Sequence, residues 1–231
     1  MRPGPLVDPA TVPSWLAPLA RRAMAFSAAD LGRNSIPPAD GGRAAAVLVL
    51  FGLDSDAREP DLLLLRRSDG TPTHAGQVAF PGGAVEDADD GPVGAALREA
   101  GEEVGVRATD VRPVTVLPEL YVPPSDFLVT PVLAYWHRPG PVAPVDPAET
   151  AAVARVPVSV LADPANRLTV RGHAGWAFPA FLLPGMLVWG FTGAMVDALL
   201  AMGGWERPWE ADRVHDLDSA WRRAEETGVS W

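Results

Sequence analysis

Glu99, Glu102 and Glu103 stand at positions i, i+3 and i+4 of the stretch REAGEEVGV (98–106). On a helix their side chains fall within an arc of roughly 100°, while Leu97, Ala100 and Val104 take another arc, toward a core. Three carboxylates so close repel one another and destabilise an isolated helix. A hard divalent cation removes that penalty, because Mg²⁺ and Mn²⁺ prefer oxygen ligands and tolerate several bound waters. Arg98, one turn before Glu102, can orient it through an ion pair. The competing reading is a solvated acidic helix face, the usual fate of a charge run. Two neighbours weigh against it. Gly101 inside the helix costs about 1 kcal/mol relative to alanine, so propensity alone does not explain the segment. Upstream, Phe80-Pro81-Gly82-Gly83 sets a tight glycine turn at a strand end, where backbone can approach a ligand closely.

The elements that must position these groups follow from the hydrophobic pattern. AAAVLVLFG (44–52) and DLLLLRR (61–67) read as apolar strands joined by the polar turn DSDAREP, and VAF (78–80) as a short strand entering the glycine turn. A helix is predicted from about Pro92 to Val104, with proline suited to its first turn and Gly105 to its stop. VRPVTVL (111–117), VTPVLAYW (129–136) and AVARV (152–156, followed by Pro157) read as strands or, for the last, a short strand or turn leading to a weak helix near Ser159 to Ala162. RLTVR (167–171), WAFPAFLL (176–183) and MLVWG (186–190) suggest a second small sheet or hairpin. Thr192 is placed as the cap of a helix running through Gly203. Outside these, one amphipathic helix is expected at Ser14 to Phe26 and another at Asp216–Glu226. The division is an N-terminal extension (1–40), a mixed α+β domain (41–204) and a C-terminal extension (205–231).

Composition narrows the class. The chain has 231 residues, is 48% apolar and 21% charged, and carries a net charge of −10. Such values suit a globular protein, and an acidic surface repels a phosphate backbone, so no nucleic-acid partner is expected. A phosphate-handling site would then need a local cation. No apolar run reaches the ~20 residues of a membrane span, and the first residues lack a secretory pattern, so no membrane partner is expected. There is no cysteine, which excludes disulfides and thiolate metal sites. A cytoplasmic setting is expected.

With these residues in view, the segment resembles the Nudix box. REAGEEVGV is similar to its second half, REUxEExGU with U apolar, and Gly83 resembles the glycine that opens it. The general spacing is Gly-x5-Glu-x7-Arg; here it is Gly83-x5-Asp89-x8-Arg98, a lengthened loop similar to the coenzyme A diphosphatase branch. That branch carries LLTxR(S/A)x3Rx3Gx3FPGG. LLLRRSDGTPTHAGQVAFPGG (63–83) matches at Leu63, Leu64, Arg67, Ser68, Gly76 and Phe80 to Gly83, with Leu65 in place of threonine and Pro72 in place of the second arginine. The resemblance spans about residues 44–203.

It implies the Nudix fold, a mixed β-sheet sandwiched between helices (α/β/α), and a Mg²⁺- or Mn²⁺-dependent hydrolase. Glu99, Glu102 and Glu103 are then the metal-binding carboxylates. Glu102, Glu103 and Glu149 are the catalytic candidates, Glu149 being either a loop carboxylate acting as ligand or base or a plain surface acid. Arg67, Gly82 and Gly83 are the substrate-binding candidates. Glu86 and Asp89 read as outer ligands or, with the rest of the DADD run, as helix cap and solvated surface. His74 reads as structural or surface. Of the tryptophans, Trp136 and Trp189 are expected in the core, and Trp205 and Trp209 over a homodimer interface. The implied reaction is attack of water on a diphosphate of a small nucleotide-like substrate, coenzyme A or its acyl derivatives, giving 4′-phosphopantetheine and 3′,5′-ADP. The alternatives are another nucleoside diphosphate derivative, or a Nudix-like binding module without catalysis.

Overall fold

Strand β2 (Arg43–Leu53) explains the architecture, because it is apolar on both faces. Alternate side chains of a strand point to opposite sides. Here Ala46, Leu48 and Leu50 enter one buried cluster and Val49 and Phe51 another. A strand buried on both faces must lie inside a layered fold. The computed structural model describes residues 3–27, 42–53, 59–172 and 175–227. Most of the turn expected after β2 lies outside the described residues.

Before β2 come a short strand β1 (Gly4–Pro5) and helix α1 (Ala17–Ala23). After it follow β3 (Pro60–Arg67), β4 (Val78–Ala79), β5 (Gly82–Ala84), helix α2 (Gly91–Val104), β6 (Val111–Val116), β7 (Leu120–Val122) and β8 (Phe127–Trp136). Then come β9 (Thr150–Pro157), α3 (Val158–Ala162), β10 (Arg167–Arg171), β11 (Ala177–Leu183), β12 (Met186–Val188), α4 (Gly190–Gly203), β13 (Val214–Asp216) and α5 (Leu217–Glu226).

The larger sheet runs β1-β6-β8-β2-β3-β4, with β5 on β2, β7 on β8 and β9 on β3. It is mixed: β2 pairs parallel with β8 and antiparallel with β3 and β5. On one face α2 lays Ala95, Ala96, Ala100 and Val104 against Leu48, Leu50, Leu63 and Leu65. Small residues on the helix let it approach the sheet closely. On the other face Leu16, just ahead of α1, joins Leu19 of α1 and Met195 and Leu199 of α4 in the cluster holding Val49 and Phe51. The result is the expected α/β/α arrangement.

A second sheet, β12-β11-β10-β13, carries α5 against it through Ala220 and Ala224. The two stretches set apart as extensions are joined to this body. β1 pairs with β6, and β13 pairs parallel with β10.

Some boundaries differ from expectation. Helix α1 starts at Ala17 rather than Ser14, because Pro18 is tolerated only in a first turn. Thr192 does not cap α4; the helix begins at Gly190 after an extended Trp189, and Thr192 is buried inside it. Trp205 packs on Phe51, ring centroids 5.5 Å apart, and Arg167 lies 4.3 Å above the Trp209 ring. Both rings are engaged within the chain and partly buried. Among the described residues no helix is long and apolar enough to cross a membrane.

Candidate active site

The glycine turn and the acidic helix meet. β5 pairs with β2 in the register Ala46↔Gly83 and Val47↔Gly82, which places both glycines under α2. A side chain at either would meet a neighbour. A Cβ on Gly82 would lie 2.3 Å from the Ala46 carbonyl oxygen, and one on Gly83 would lie 2.4 Å from a Glu99 carboxylate oxygen. α2 itself is fixed at its ends by Pro92 in the first turn and by Gly105 at φ 76°, a left-handed stop that a Cβ would strain.

Glu103 reaches down from α2, and one of its oxygens accepts the Gly82 N–H at 2.9 Å. Its side chain is only 10% exposed, and Arg67 Nη1 stands 3.9 Å away. Burial pushes its carboxyl up to about 7; the Gly82 amide and Arg67 oppose the shift, while Glu99 and Glu149 add to it. Glu99, over Gly83, is also shifted upward, first by burial, against the pull of Arg98. Ionising either acid therefore carries a cost: Glu103 feels the charges of Glu99 and Glu149, and Glu99 those of Glu102 and Glu86.

Glu102 is placed differently. Its side chain is 61% exposed and takes a 3.0 Å ion pair from Arg98. That guanidinium is the hub of the loop. It bonds both Asp89 oxygens, at 3.0 and 3.1 Å, donates to the Ala84 carbonyl at 3.0 Å and pairs with Glu99 at 3.0 Å. Asp89 is therefore not part of a solvated run. It is nearly buried, and the Arg98 hydrogen bonds hold its carboxyl below the usual range. Asp90, at the cap position of α2, makes no side-chain cap bond. Glu149 is exposed, and its backbone carbonyl accepts from Ser68 N–H at 2.8 Å, tying its loop to the end of β3. Of the two neighbouring arginines, Arg66 turns to Asp69 at 2.6 Å and Arg67 to Glu103, as alternation along a strand requires.

Among the described residues no three His, Asp or Glu side chains are drawn together as a metal cage. Arg98 and the Gly82 amide take the oxygens that would converge. The donor set still suits a hard cation, since Mg²⁺ commonly uses one or two carboxylates and takes its remaining ligands from water and phosphate. Glu99 and Glu103, whose carboxyls burial shifts upward, are the pair such an ion would relieve.

A cleft of 380 Å³ opens beside this point, with Arg67 and Gly82 on its wall. Phe178, Trp189 and Phe191 line it from β11 and the start of α4, and His74 and Gln77 from the loop before β4. These residues were not assigned to the site from sequence. They lie in segments far apart in the chain, and no local pattern links them. Trp189, expected in the core, is only partly buried and meets Trp221 edge-on at 6.2 Å.

A NUDIX domain model matches residues 42–178. The protein named Uncharacterized Nudix hydrolase NudL from Escherichia coli K12 is 49% identical over 75 residues, covering 32% of this chain and 38% of that protein. Its Escherichia fergusonii counterpart aligns over the same shares. The alignment thus spans well under half the length of these relatives. Among solved structures, the Nudix hydrolase RenU from M. smegmatis is 25% identical with a TM-score of 0.42, covering 53% of this chain and 75% of its own. A MutT/nudix family protein from Enterococcus faecalis is 16% identical with a TM-score of 0.46, covering 82% and 73%.

Proposed function

The chain belongs to the Nudix family, and from that premise we propose that it hydrolyses the diphosphate linkage of coenzyme A or an acyl-coenzyme A. The observation that carries the reading is the placement of Glu99 and Glu103 over the Gly82–Gly83 turn, beside Arg67 and the mouth of a cleft. The coenzyme A branch is supported by the residues of LLLRRSDGTPTHAGQVAFPGG that match its signature and by the lengthened Gly83–Arg98 loop.

Glu99, Glu103 and, from the outer side of the helix, Glu102 would hold Mg²⁺ or Mn²⁺. Such an ion, when bound, neutralises phosphate oxygens and sharpens a water as nucleophile. The chain's own groups do the rest. Arg67 offers a fixed positive charge to a phosphate oxygen. The bare backbone at Gly82 and Gly83 lets the diphosphate come close without a side chain in the way. Glu102, Glu103 and Glu149 are the carboxylates that could take the water's proton. Arg98, clamped by Asp89, sets the rotamers of Glu99 and Glu102.

A second reading is another nucleoside diphosphate derivative, favoured by Pro72, which removes the second arginine of the signature. The test is product analysis with Mn²⁺ on coenzyme A, NADH, ADP-ribose and 8-oxo-dGTP, beside Glu102→Gln and Glu103→Gln. Release of 4′-phosphopantetheine and 3′,5′-ADP, abolished in both folded variants, is expected. Turnover confined to another substrate gives the second reading. Ligand binding without turnover on any substrate makes the chain a binding module.

A further inference from the structure

We propose that the cleft beside Arg67 and Gly82 is the seat of the pantetheine arm of the substrate, not of its nucleoside, an inference that rests on the coenzyme A reading above.

The first argument is the chemistry of the wall nearest the carboxylates. Val47 lies against Gly82: a Cβ there would be 2.8 Å from its Cγ1. Val78, Phe80, Phe127, Phe178 and Phe191 line the same cleft. Whatever enters this cleft therefore meets mostly carbon. A ribose would set its hydroxyls against these side chains and leave them without partners, which is costly. The pantetheine arm begins instead with a quaternary carbon bearing two methyl groups, which buries well there. The volume, 380 Å³, falls in the range of small-molecule sites.

The second argument is where the few polar groups sit. Farther along, the arm carries two amides. Gln77, Ser125 and Thr192 line the cleft, and so does the first turn of α4. That turn has no side-chain cap, and its leading N–H groups have no acceptor within the helix. The two amides of the arm can pair with these few donors and acceptors in a cleft that is otherwise mostly apolar.

The third argument is backbone geometry. The two non-glycine residues with positive φ among the described residues are His74, at 56°, and Asp126, at 54°. His74 lines the cleft, its ring bonded to Gln77 at 3.0 Å, and Asp126 stands between Ser125 and Phe127, which also line it. Left-handed backbone at non-glycine residues is costly and gathers at ligand clamps. Here both instances border one cleft. Phe191, Trp189 and Thr192 lie beyond residue 178, where the matched family region ends, so this wall is supplied by the chain's own C-terminal part.

The test titrates each product half, 4′-phosphopantetheine and 3′,5′-ADP, calorimetrically into the full-length protein with Mn²⁺, in the wild type, Phe191→Ala and Phe178→Ala. Both variants are expected to weaken 4′-phosphopantetheine by roughly tenfold or more, as lost apolar pocket contacts do, and to leave 3′,5′-ADP unchanged. Ser125→Trp fills the cleft from a surface loop without touching the core. It keeps the test open if Phe191→Ala fails to fold, and it should abolish 4′-phosphopantetheine binding. Weakening of 3′,5′-ADP instead, or of both halves equally, overturns the assignment of the cleft while coenzyme A hydrolysis by the wild type leaves the functional reading standing. A wild type that neither hydrolyses coenzyme A nor binds 4′-phosphopantetheine overturns both.

Discussion

Glu103 is held where burial and function oppose each other. Its carboxyl, ordinarily near 4.5, is pushed up to about 7 in the folded chain. Between those two values the folded state binds more protons than the unfolded state, so stability of the metal-free protein falls as pH rises through that window. Above it the buried charge costs on the order of 3 kcal/mol. Glu103→Gln removes that cost. By calorimetry, its metal-free melting midpoint should exceed that of the wild type by a few degrees at pH 8 and equal it near pH 4.5. Turnover should fall about 10²-fold or more. A midpoint lowered at pH 8 would mean that the charge stabilises the fold and is not stored for a ligand. The residues themselves were legible: the i, i+3, i+4 spacing of Glu99, Glu102 and Glu103 put them on one helix. Their unequal exposure was not, because it depends on β5 passing beneath Glu99 and Glu103 while Glu102 faces outward. Gly101, used as a clue, has room for a Cβ, the nearest atom being the Val106 carbonyl at 3.4 Å, so no close approach demands it.

The β2–β5 pairing and α2 form one unit, and its two glycines separate fold from chemistry. At Gly82 an added Cβ strikes backbone, the Ala46 carbonyl at 2.3 Å and Val47 Cα at 2.7 Å, so the strands must part. Gly82→Ala should cost about 3 kcal/mol in chemical denaturation. At Gly83 the Cβ strikes only the end of the Glu99 side chain, at 2.4 Å, which can swing aside. Gly83→Ala should keep stability within ~1 kcal/mol of the wild type yet lower turnover roughly tenfold or more by displacing Glu99. Equal stability losses at the two positions would contradict this division. α2 and the long strands could be read from apolar period and from Pro92 and Gly105. The start of α4 could not: Thr192 has the chemistry of a cap, but the helix begins two residues before it.

At the scale of the molecule, the C-terminal stretch is structural. β13 pairs with β10, α5 covers Leu168, Ala180 and Leu187, and the buried Arg167 is bound by Asp197 and Glu206 across the two regions. Truncation after Gly204 would bare that apolar face and leave Arg167 without one of its acids. Its melting midpoint should drop by 10 °C or more, at roughly 2–4 °C per kcal/mol for a chain of this size. An unchanged midpoint would show that the stretch only decorates the surface. None of this was visible in VHD (214–216), three residues without an apolar run, because a parallel partner more than forty residues away leaves no local periodicity. The central claim is that α2 presents an ion-binding pair at the glycine turn. The most direct test is a Mn²⁺ titration followed by electron paramagnetic resonance on the wild type, Glu99→Gln and Glu103→Gln. Saturable binding by the wild type, weakened at least tenfold in both folded variants, is expected. Equal Mn²⁺ affinity in all three proteins, or none in the wild type, would contradict it.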